Sequence, residues 1–170
     1  MAFKGLRQTT LFFLLVLLQV CFFNRIHLLG YATPFIYIYL IIKFPIDMNR
    51  NVVMLVAALM GLILDMFSYT LGLNMLSCVM AGFLRFNMLK LFTPRDIIEF
   101  VTPSFTSFGK GLFLRYAGFV TMIHHSVLFS IESLSFFDPS NLLYRIISSF
   151  ILTMFLIFAF ESIDVKISKT

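Results

Sequence analysis

Residues 51–92 read NVVMLVAALMGLILDMFSYTLGLNMLSCVMAGFLRFNMLKLF, which is two apolar runs around a short turn. The runs, 51–69 and 72–92, each have the roughly 17 to 25 residues that a helix needs to cross a bilayer. The turn is too short to let the two helices separate, so they form an antiparallel pair. The stretch therefore predicts a helical hairpin that crosses a membrane twice.

The remainder of the chain is also apolar. Hydrophobic residues make up 60% of the 170 residues and charged residues only 12%, against about 25% charged in an average soluble domain. The mean hydropathy of +0.97 indicates that the bilayer is the solvent of this chain. Six apolar segments can be drawn, at 9–23, 31–44, 51–69, 72–92, 111–137 and 142–160. We expect a single transmembrane domain, residues 1–170, folded as an all-α integral membrane bundle of six transmembrane helices, of which the first two are short.

The start of the chain also has the layout of a secretory signal peptide, with Lys4 and Arg7 ahead of an apolar run. Residues 19–23 contain no small-x-small cleavage pattern, and Cys21 lacks the small preceding residue of a lipoprotein signal. We therefore expect this segment to remain as the first helix. Cys21 and Cys78 lie in apolar runs, where a free thiol behaves as a small hydrophobe, so neither a disulfide nor a metal site is expected.

The distribution of Lys and Arg predicts orientation, because these residues are retained on the cytoplasmic side of a membrane. With the N-terminus inside, the cytoplasmic segments hold ten of the 13: Lys4, Arg7, Lys43, Arg50, Lys90, Arg95, Lys110, Arg115, Lys166 and Lys169. Arg25 and Arg145 fall on the opposite side, and Arg85 lies within a span. Both termini are therefore expected in the cytoplasm. The basic residues form no patch with aromatic side chains, so no nucleic-acid partner is expected.

The connections differ in length between the two sides. Those predicted outside, 68–72 and 138–140, are barely turns, so little sequence projects there. The long cytoplasmic connection begins with Thr93, Pro94 and Asp96, which resemble an N-cap, a first-turn proline and an acidic first turn. A short interfacial helix ending near Val101 is expected.

Ionisable side chains inside a span are costly and need a partner or a function. The helical rise separates Asp65 and Arg85 by about 12 to 15 Å along the membrane normal, so no salt bridge is expected between them. His124 and His125 are adjacent on a helix and point about 100° apart, so they cannot jointly bind one metal ion. A hydrogen bond to a neighbouring helix is the expected role of these histidines, with proton relay as the alternative.

Two polar pairs are predicted from the number of residues that separates each side chain from the turn between its two helices. Glu132 and Arg145 lie equally far from the turn near Asp138, so we expect them to face each other. The same argument places Asp65 level with Asn74 and predicts a hydrogen bond between them. Such contacts commonly hold transmembrane helices together. The alternative is a polar pocket or partner site that opens outward.

Small residues on the same two helices, Gly61, Gly72 and Gly82, allow close approach of backbones. Packing between the two helices is the first interpretation, and docking of a partner's helix is the second. The central stretch, GLILD at 61–65, Ser68, LGLN at 71–74 and then Arg85, resembles the signature of the rod-shape-determining protein MreD family. In that family a glycine and an aspartate near one helix end precede a short turn and a second small-residue helix.

The resemblance implies a non-enzymatic scaffold of the bacterial cell-elongation machinery, without a cofactor. Its partners would be the bitopic protein MreC, the peptidoglycan synthase and transpeptidase of elongation, and the cytoskeletal MreB filaments that it would help to couple to peptidoglycan synthesis. It would lie in the bacterial inner membrane as a multi-pass protein. The MreD family is also similar in fold to the substrate-binding subunits of energy-coupling-factor vitamin transporters.

Two other functions stay open from the residues themselves. In a transporter subunit of the vitamin type, Asp65, Asn74, Glu132 and Arg145 would line an outward pocket for a small molecule. In a membrane enzyme, Asp65 and Glu132 would act as acid and base at the outer surface. The enzyme is the weaker alternative, because no nucleophile or metal cluster accompanies the two carboxylates.

Overall fold

A computed structural model describes residues 2–26, 32–92, 101–133 and 139–167 of the chain. This part is helical, in the elements α1 (Ala2–Cys21), a 3-10 helix (Phe23–Arg25), α2 (Ile38–Lys43), α3 (Arg50–Ser68), α4 (Leu73–Phe92), α5 (Phe105–Phe108), α6 (Lys110–Glu132) and α7 (Pro139–Ile167). Five of these helices, α1, α3, α4, α6 and α7, are long and apolar enough to cross a membrane. The protein is therefore a multi-pass helical membrane bundle.

The second predicted span, 31–44, is not a transmembrane helix, so the six-helix prediction is wrong in this element. Only Ile38–Lys43 is helical there, residues 33–35 have no regular secondary structure, and residues 36–37 form a turn. Hydrogen bonds nevertheless align the segment with α7, from Thr33 beside Ser149 to Lys43 beside Asp164. Those positions on α7 are about 22 Å apart. Eleven helical residues would reach only about 15 Å, so the residues before α2 must be more extended than a helix to supply the missing length. We call residues 32–36 the extended segment.

An extended backbone inside an apolar bundle needs partners for its amide groups. Polar side chains of the flanking helices supply them: Ser149 accepts from Thr33 N at 3.0 Å, Thr153 from Phe35 N at 3.1 Å and Gln19 from Ile36 N at 3.0 Å. Gln19 also donates to the Pro34 carbonyl at 3.0 Å. The non-helical segment is thus stable at membrane depth because α1 and α7 replace its helical hydrogen bonds.

The predicted hairpin is present as α3 and α4. Its turn needs two residues with positive φ, Tyr69 at 55° and Gly72 at 78°, and glycine takes such a conformation without strain. Just before the turn the two backbones nearly touch, because a Cβ on Gly61 would lie 2.4 Å from the Met75 Cα. Gly61 therefore sets the closest approach of the two helices.

The start of α1 and the end of α7 lie at the same end of the bundle, where Arg7 and Asp164 form an ion pair at 2.6 Å. The interfacial helix predicted after Thr93 falls mostly on residues 93–100, outside the described residues. The same holds for the turn near Asp138. Of the described residues 101–108, the first four are not helical and the last four form the short helix α5. Ser104 caps this helix by accepting from Ser107 N.

Candidate functional site

A cavity of about 490 Å³ opens at the end of the bundle opposite Arg7 and Asp164. We call this end the pocket end. Its lining is mixed, with polar and apolar side chains from α1, the 3-10 helix, the extended segment, the α3–α4 turn, α6 and α7: Val20, Asn24, Arg25, Thr33, Phe35, Phe67, Ser68, Thr70, Leu73, Asn74, Leu128, Phe129, Glu132 and Arg145. Residues far apart in sequence thus converge on one opening.

The predicted pair Glu132 and Arg145 forms one wall of the cavity. Their side chains make an ion pair at 2.7 Å and stay partly exposed. The Arg145 guanidinium also lies over the Phe129 ring, 4.8 Å from its centroid, in the geometry of a cation–π contact. Glu132 lies in the last turn of α6 and Arg145 in the second turn of α7, as the distance from the turn predicts.

The floor of the cavity is built on Asp65, which is buried beneath it and does not line it. Its carboxylate accepts from the Thr70 hydroxyl, from Asn74 N at 3.0 Å, from Asn74 Nδ2 at 2.9 Å and from Met75 N at 2.9 Å. The predicted bond between Asp65 and Asn74 is therefore present. The carboxylate caps the start of α4, where free backbone N–H groups favour a negative charge.

A chain of hydrogen bonds leads from this floor into the core. Tyr37 donates to Asn74 Oδ1 at 2.8 Å, and its hydroxyl oxygen lies 3.0 Å from His124 Nε2. Because the single Tyr37 hydrogen goes to Asn74, His124 Nε2 must carry the proton of its own bond to Tyr37. His124 Nδ1 is buried and has no hydrogen-bond partner in the residues that the structure describes. His124 thus bonds to Tyr37, the N-cap of α2, in line with the expected hydrogen bond to a neighbouring helix.

His125 holds a different helix. Its Nδ1 lies 2.9 Å from the Thr121 carbonyl, and its Nε2 lies 3.2 Å from Thr153 Oγ1 on α7. Since a carbonyl only accepts, Nδ1 carries the proton and Nε2 accepts from Thr153. The two histidines therefore point to different partners, and within the described residues no group of three or more metal-binding side chains forms around them.

The small residues predicted for packing or partner binding lie inside the α3–α4 pair. Gly61 is covered by the Met75 backbone, and a Cβ on Gly82 would touch Ala57 and Val53 at 3.6 Å. A Cβ on Gly72 would meet no atom of the described residues within 4 Å beyond its chain neighbours, and Gly72 serves the turn through its positive φ. Packing is thus what Gly61 and Gly82 do in this structure.

Arg85 is fully buried on α4 and does not pair with Asp65, as expected from their depths. Its Nη2 donates to the carbonyls of Phe44 and of Pro45, the latter at 3.2 Å. Phe44 is the C-cap of α2, and a cation is favourable where helix carbonyls lack partners. Arg85 therefore closes the end of α2, and within the described part of the chain its Nε and Nη1 are buried without a hydrogen-bond partner.

At the other end, which we call the closed end, four charged residues from three elements meet: Arg7, Lys43, Glu161 and Asp164. Lys43 Nζ lies 2.9 Å from Glu161 and 3.1 Å from Asp164, and Lys43 and Glu161 are only 2% and 0% exposed. Arg7 closes the outer side of the cluster on Asp164. Glu161 also accepts from the Tyr39 hydroxyl at 2.7 Å and from Phe105 N at 3.0 Å.

Glu161 and Asp164 are not among the residues that the sequence predicts for a site, although Lys43 and Arg7 appear there as markers of orientation. The available signal was a pair of carboxylates near the end of an apolar helix. Glu161 lies sixteen residues beyond Arg145, so the two polar ends are about 24 Å apart along α7. This spacing is close to the roughly 30 Å of a hydrocarbon core. No family model, curated protein or solved structure matches the chain.

Proposed function

We propose that this protein is a non-enzymatic membrane scaffold of the bacterial cell-elongation machinery, of the MreD type. The observation that carries the proposal is the α3–α4 hairpin, which holds the residues of the resemblance. Gly61 sets the close approach of the helices, Asp65 caps α4 through Asn74 and Met75, and Gly72 forms the turn. These are the structural tasks that a glycine, an aspartate and a turn glycine would have in such a hairpin.

In this proposal the protein lies in the bacterial inner membrane with both termini in the cytoplasm. The ion pair between Arg7 and Asp164 supports this arrangement, since it brings the two ends of the chain to one side. The basic residues predicted as cytoplasmic favour that side as the inner one. The pocket end then faces outward.

The partner would be the bitopic protein MreC, with the peptidoglycan synthase and transpeptidase of elongation joined through it and MreB filaments beneath. Because the faces of Gly61 and Gly82 are occupied within the hairpin, the partner's single helix would dock on the outward face of α3. That face is apolar and exposed, with a stripe at helical spacing: Leu55, Leu59, Leu62 and Met66. Van der Waals packing and lipid release drive such association in a bilayer.

A photo-crosslinking experiment tests this proposal. A benzoylphenylalanine is placed at Leu59 on α3, and a matched control at Ile151 on α7, which is also lipid-exposed. We expect the α3 position to capture the MreC-type partner in native membranes and the α7 position to capture none. A mild-detergent purification should recover the same partner together with cell-wall synthesis enzymes. Absence of these proteins from both experiments would refute the scaffold.

The cavity favours a second candidate, the substrate-binding subunit of a vitamin-type transporter. Three of the four residues predicted to line such a pocket, Asn74, Glu132 and Arg145, do line it, and the fourth, Asp65, supports it from below. The same purification separates the two functions. Recovery of cytoplasmic ATPase subunits with a bound small molecule, and of no cell-wall enzyme, would select the transporter.

A further inference from the structure

The cavity at the pocket end contains a cation, Arg25, that has no ion-pair partner among the described residues. Arg25 ends the 3-10 helix after α1, its side chain is exposed, and it lines the cavity. Among the described residues its guanidinium makes no ion pair or side-chain hydrogen bond, whereas the other cation of the lining, Arg145, is already paired with Glu132. The described lining therefore carries one net positive charge.

The hydrogen-bonding groups of the cavity point to the same ligand chemistry. Asn24 already accepts from Gln19 and donates to Ser68, and Asn74 is engaged by Asp65 and Tyr37. What remains is mostly donors, because a guanidinium has five N–H groups and no acceptor. A ligand rich in acceptors, such as a carboxylate or a phosphate, satisfies them best.

Six residues of the lining are apolar. Their rings and aliphatic chains come from α1, the segment before α2, α3, α4 and α6: Val20, Phe35, Phe67, Leu73, Leu128 and Phe129. A volume of about 490 Å³ lies within the range of small-molecule sites, which run from roughly 300 to 1,000 Å³. The ligand that fits has an apolar body beside its acidic group.

We propose that this cavity binds an amphipathic anion, with the acidic group on Arg25 and the apolar body against Phe67 and Leu73. Two sources offer this shared chemistry, a phospholipid with an anionic headgroup and a soluble organic carboxylate. The inference goes beyond the scaffold role, and it would define the ligand class of the transporter alternative. It concerns the isolated protein, so it does not depend on either partner.

Native mass spectrometry of the purified, delipidated protein tests the inference with two matched pairs of probes. The lipid pair is phosphatidylglycerol and the net-neutral phosphatidylethanolamine. The soluble pair is 1-naphthoate and the uncharged 1-naphthylmethanol. We expect one anion to bind each protein molecule, at least tenfold more tightly than its neutral counterpart.

Two variants change the charge of the cavity in opposite directions. Arg25→Gln removes the unpaired cation and should weaken binding of the anion at least tenfold. Glu132→Gln frees Arg145 and should strengthen it, a change that loss of folding cannot produce. Lys90→Gln is the control, because this exposed cation lies about 24 Å from Asn74 along α4 and should leave binding unchanged.

The outcomes separate the sources and the proposal. Binding of phosphatidylglycerol alone identifies a lipid, and binding of naphthoate alone identifies a soluble carboxylate. Equal binding of the neutral probes, unchanged binding by Arg25→Gln, or no binding of either anion would overturn the inference. None of these results alters the crosslinking test, so failure of the ligand site and failure of the scaffold are distinguishable.

Discussion

The two polar ends of the bundle differ in how far their charged residues are buried and paired. At the closed end Lys43 and Glu161 are buried and fully paired, and side chains or backbone from α1, α2, α5 and α7 meet there. At the pocket end Glu132 and Arg145 are 39% and 29% exposed, and Arg25 lines the same cavity with no ion pair to any residue that the structure describes. Charged residues thus form a buried, paired cluster at the closed end and a partly exposed cavity lining at the pocket end.

This difference separates structural charge from functional charge. A buried ion pair costs desolvation and is tolerated only when its geometry and hydrogen bonds are complete, as they are around Glu161. Its role is to fix which elements meet. A partly exposed pair is weak in energy, so the pair of Glu132 and Arg145 at the pocket end contributes little to stability and is accessible to a ligand. We therefore expect substitutions at the two ends to differ strongly in their effect on stability.

The largest effect is expected from Lys43→Met. The substitution leaves the Glu161 carboxylate buried without its nearest cation, and breaking a buried pair from one side typically costs about 3 to 5 kcal/mol. The free energy of unfolding, measured by titration of SDS into mixed micelles, should fall by that amount. The double variant Lys43→Met/Glu161→Met should recover much of the loss, because no charge then stays unpaired.

The matched control at the closed end is Arg7→Gln. Arg7 belongs to the same cluster, but its side chain is 49% exposed, so its loss should cost less than about 1 kcal/mol. Equal losses in Lys43→Met and Arg7→Gln would show that burial does not distinguish the members of this cluster. The comparison between the two ends would then lose its physical basis.

A second large effect is expected in the hairpin that connects the two ends. Gly61→Ala places a Cβ 2.4 Å from the Met75 Cα, so the helices must move apart, at a cost of about 3 kcal/mol. Gly82→Ala meets only ordinary contacts at 3.6 Å and should be neutral or gain up to about 1 kcal/mol from helix propensity. The same SDS titration measures both. Equal stability of the two variants would contradict the close approach at Gly61.

The hairpin could be predicted from the sequence because its evidence is local. Two long apolar runs joined by a turn too short to let the helices separate permit only an antiparallel pair. The equal depths of Asp65 and Asn74, and of Glu132 and Arg145, follow from helical rise alone. The polar contacts at the pocket end could therefore be predicted by counting residues from each turn.

The segment 31–44 could not be predicted in the same way, since its conformation depends on residues distant in sequence. Apolar composition suggests a helix, but Gln19, Ser149 and Thr153 provide the hydrogen bonds that make an extended backbone tolerable. Pro34 was the one local sign, because the residue before a proline is biased toward extended conformations. The closed end was missed for the same reason, as Lys43 and Glu161 are 118 residues apart.

An intermediate effect is expected from Asp65→Asn, which tests the buried support of the pocket end. The carboxylate accepts all of its hydrogen bonds from Thr70, Asn74 and Met75. The asparagine side chain would place its NH2 group against one of these hydrogen-bond donors. The free energy of unfolding should therefore fall by about 1 to 3 kcal/mol. Asp164→Asn, at the closed end, removes one charge from a partly exposed carboxylate and provides the comparison in the same titration. A smaller loss in Asp65→Asn than in Asp164→Asn would contradict a structural role for the cap.

The smallest effect on stability is expected from Arg145→Gln. Its pair with Glu132 is partly exposed, and such pairs contribute less than about 1 kcal/mol. The guanidinium also covers the Phe129 ring, and glutamine keeps part of that contact. The free energy of unfolding should therefore stay within about 1 kcal/mol of the unsubstituted protein, while removal of a cation from the lining weakens binding of phosphatidylglycerol or naphthoate. A loss of unfolding free energy as large as that of Lys43→Met would mean that the charged residues of the pocket end stabilise the fold as those of the closed end do. Arg25, which has no ion-pair partner among the described residues, would then need an explanation other than ligand binding.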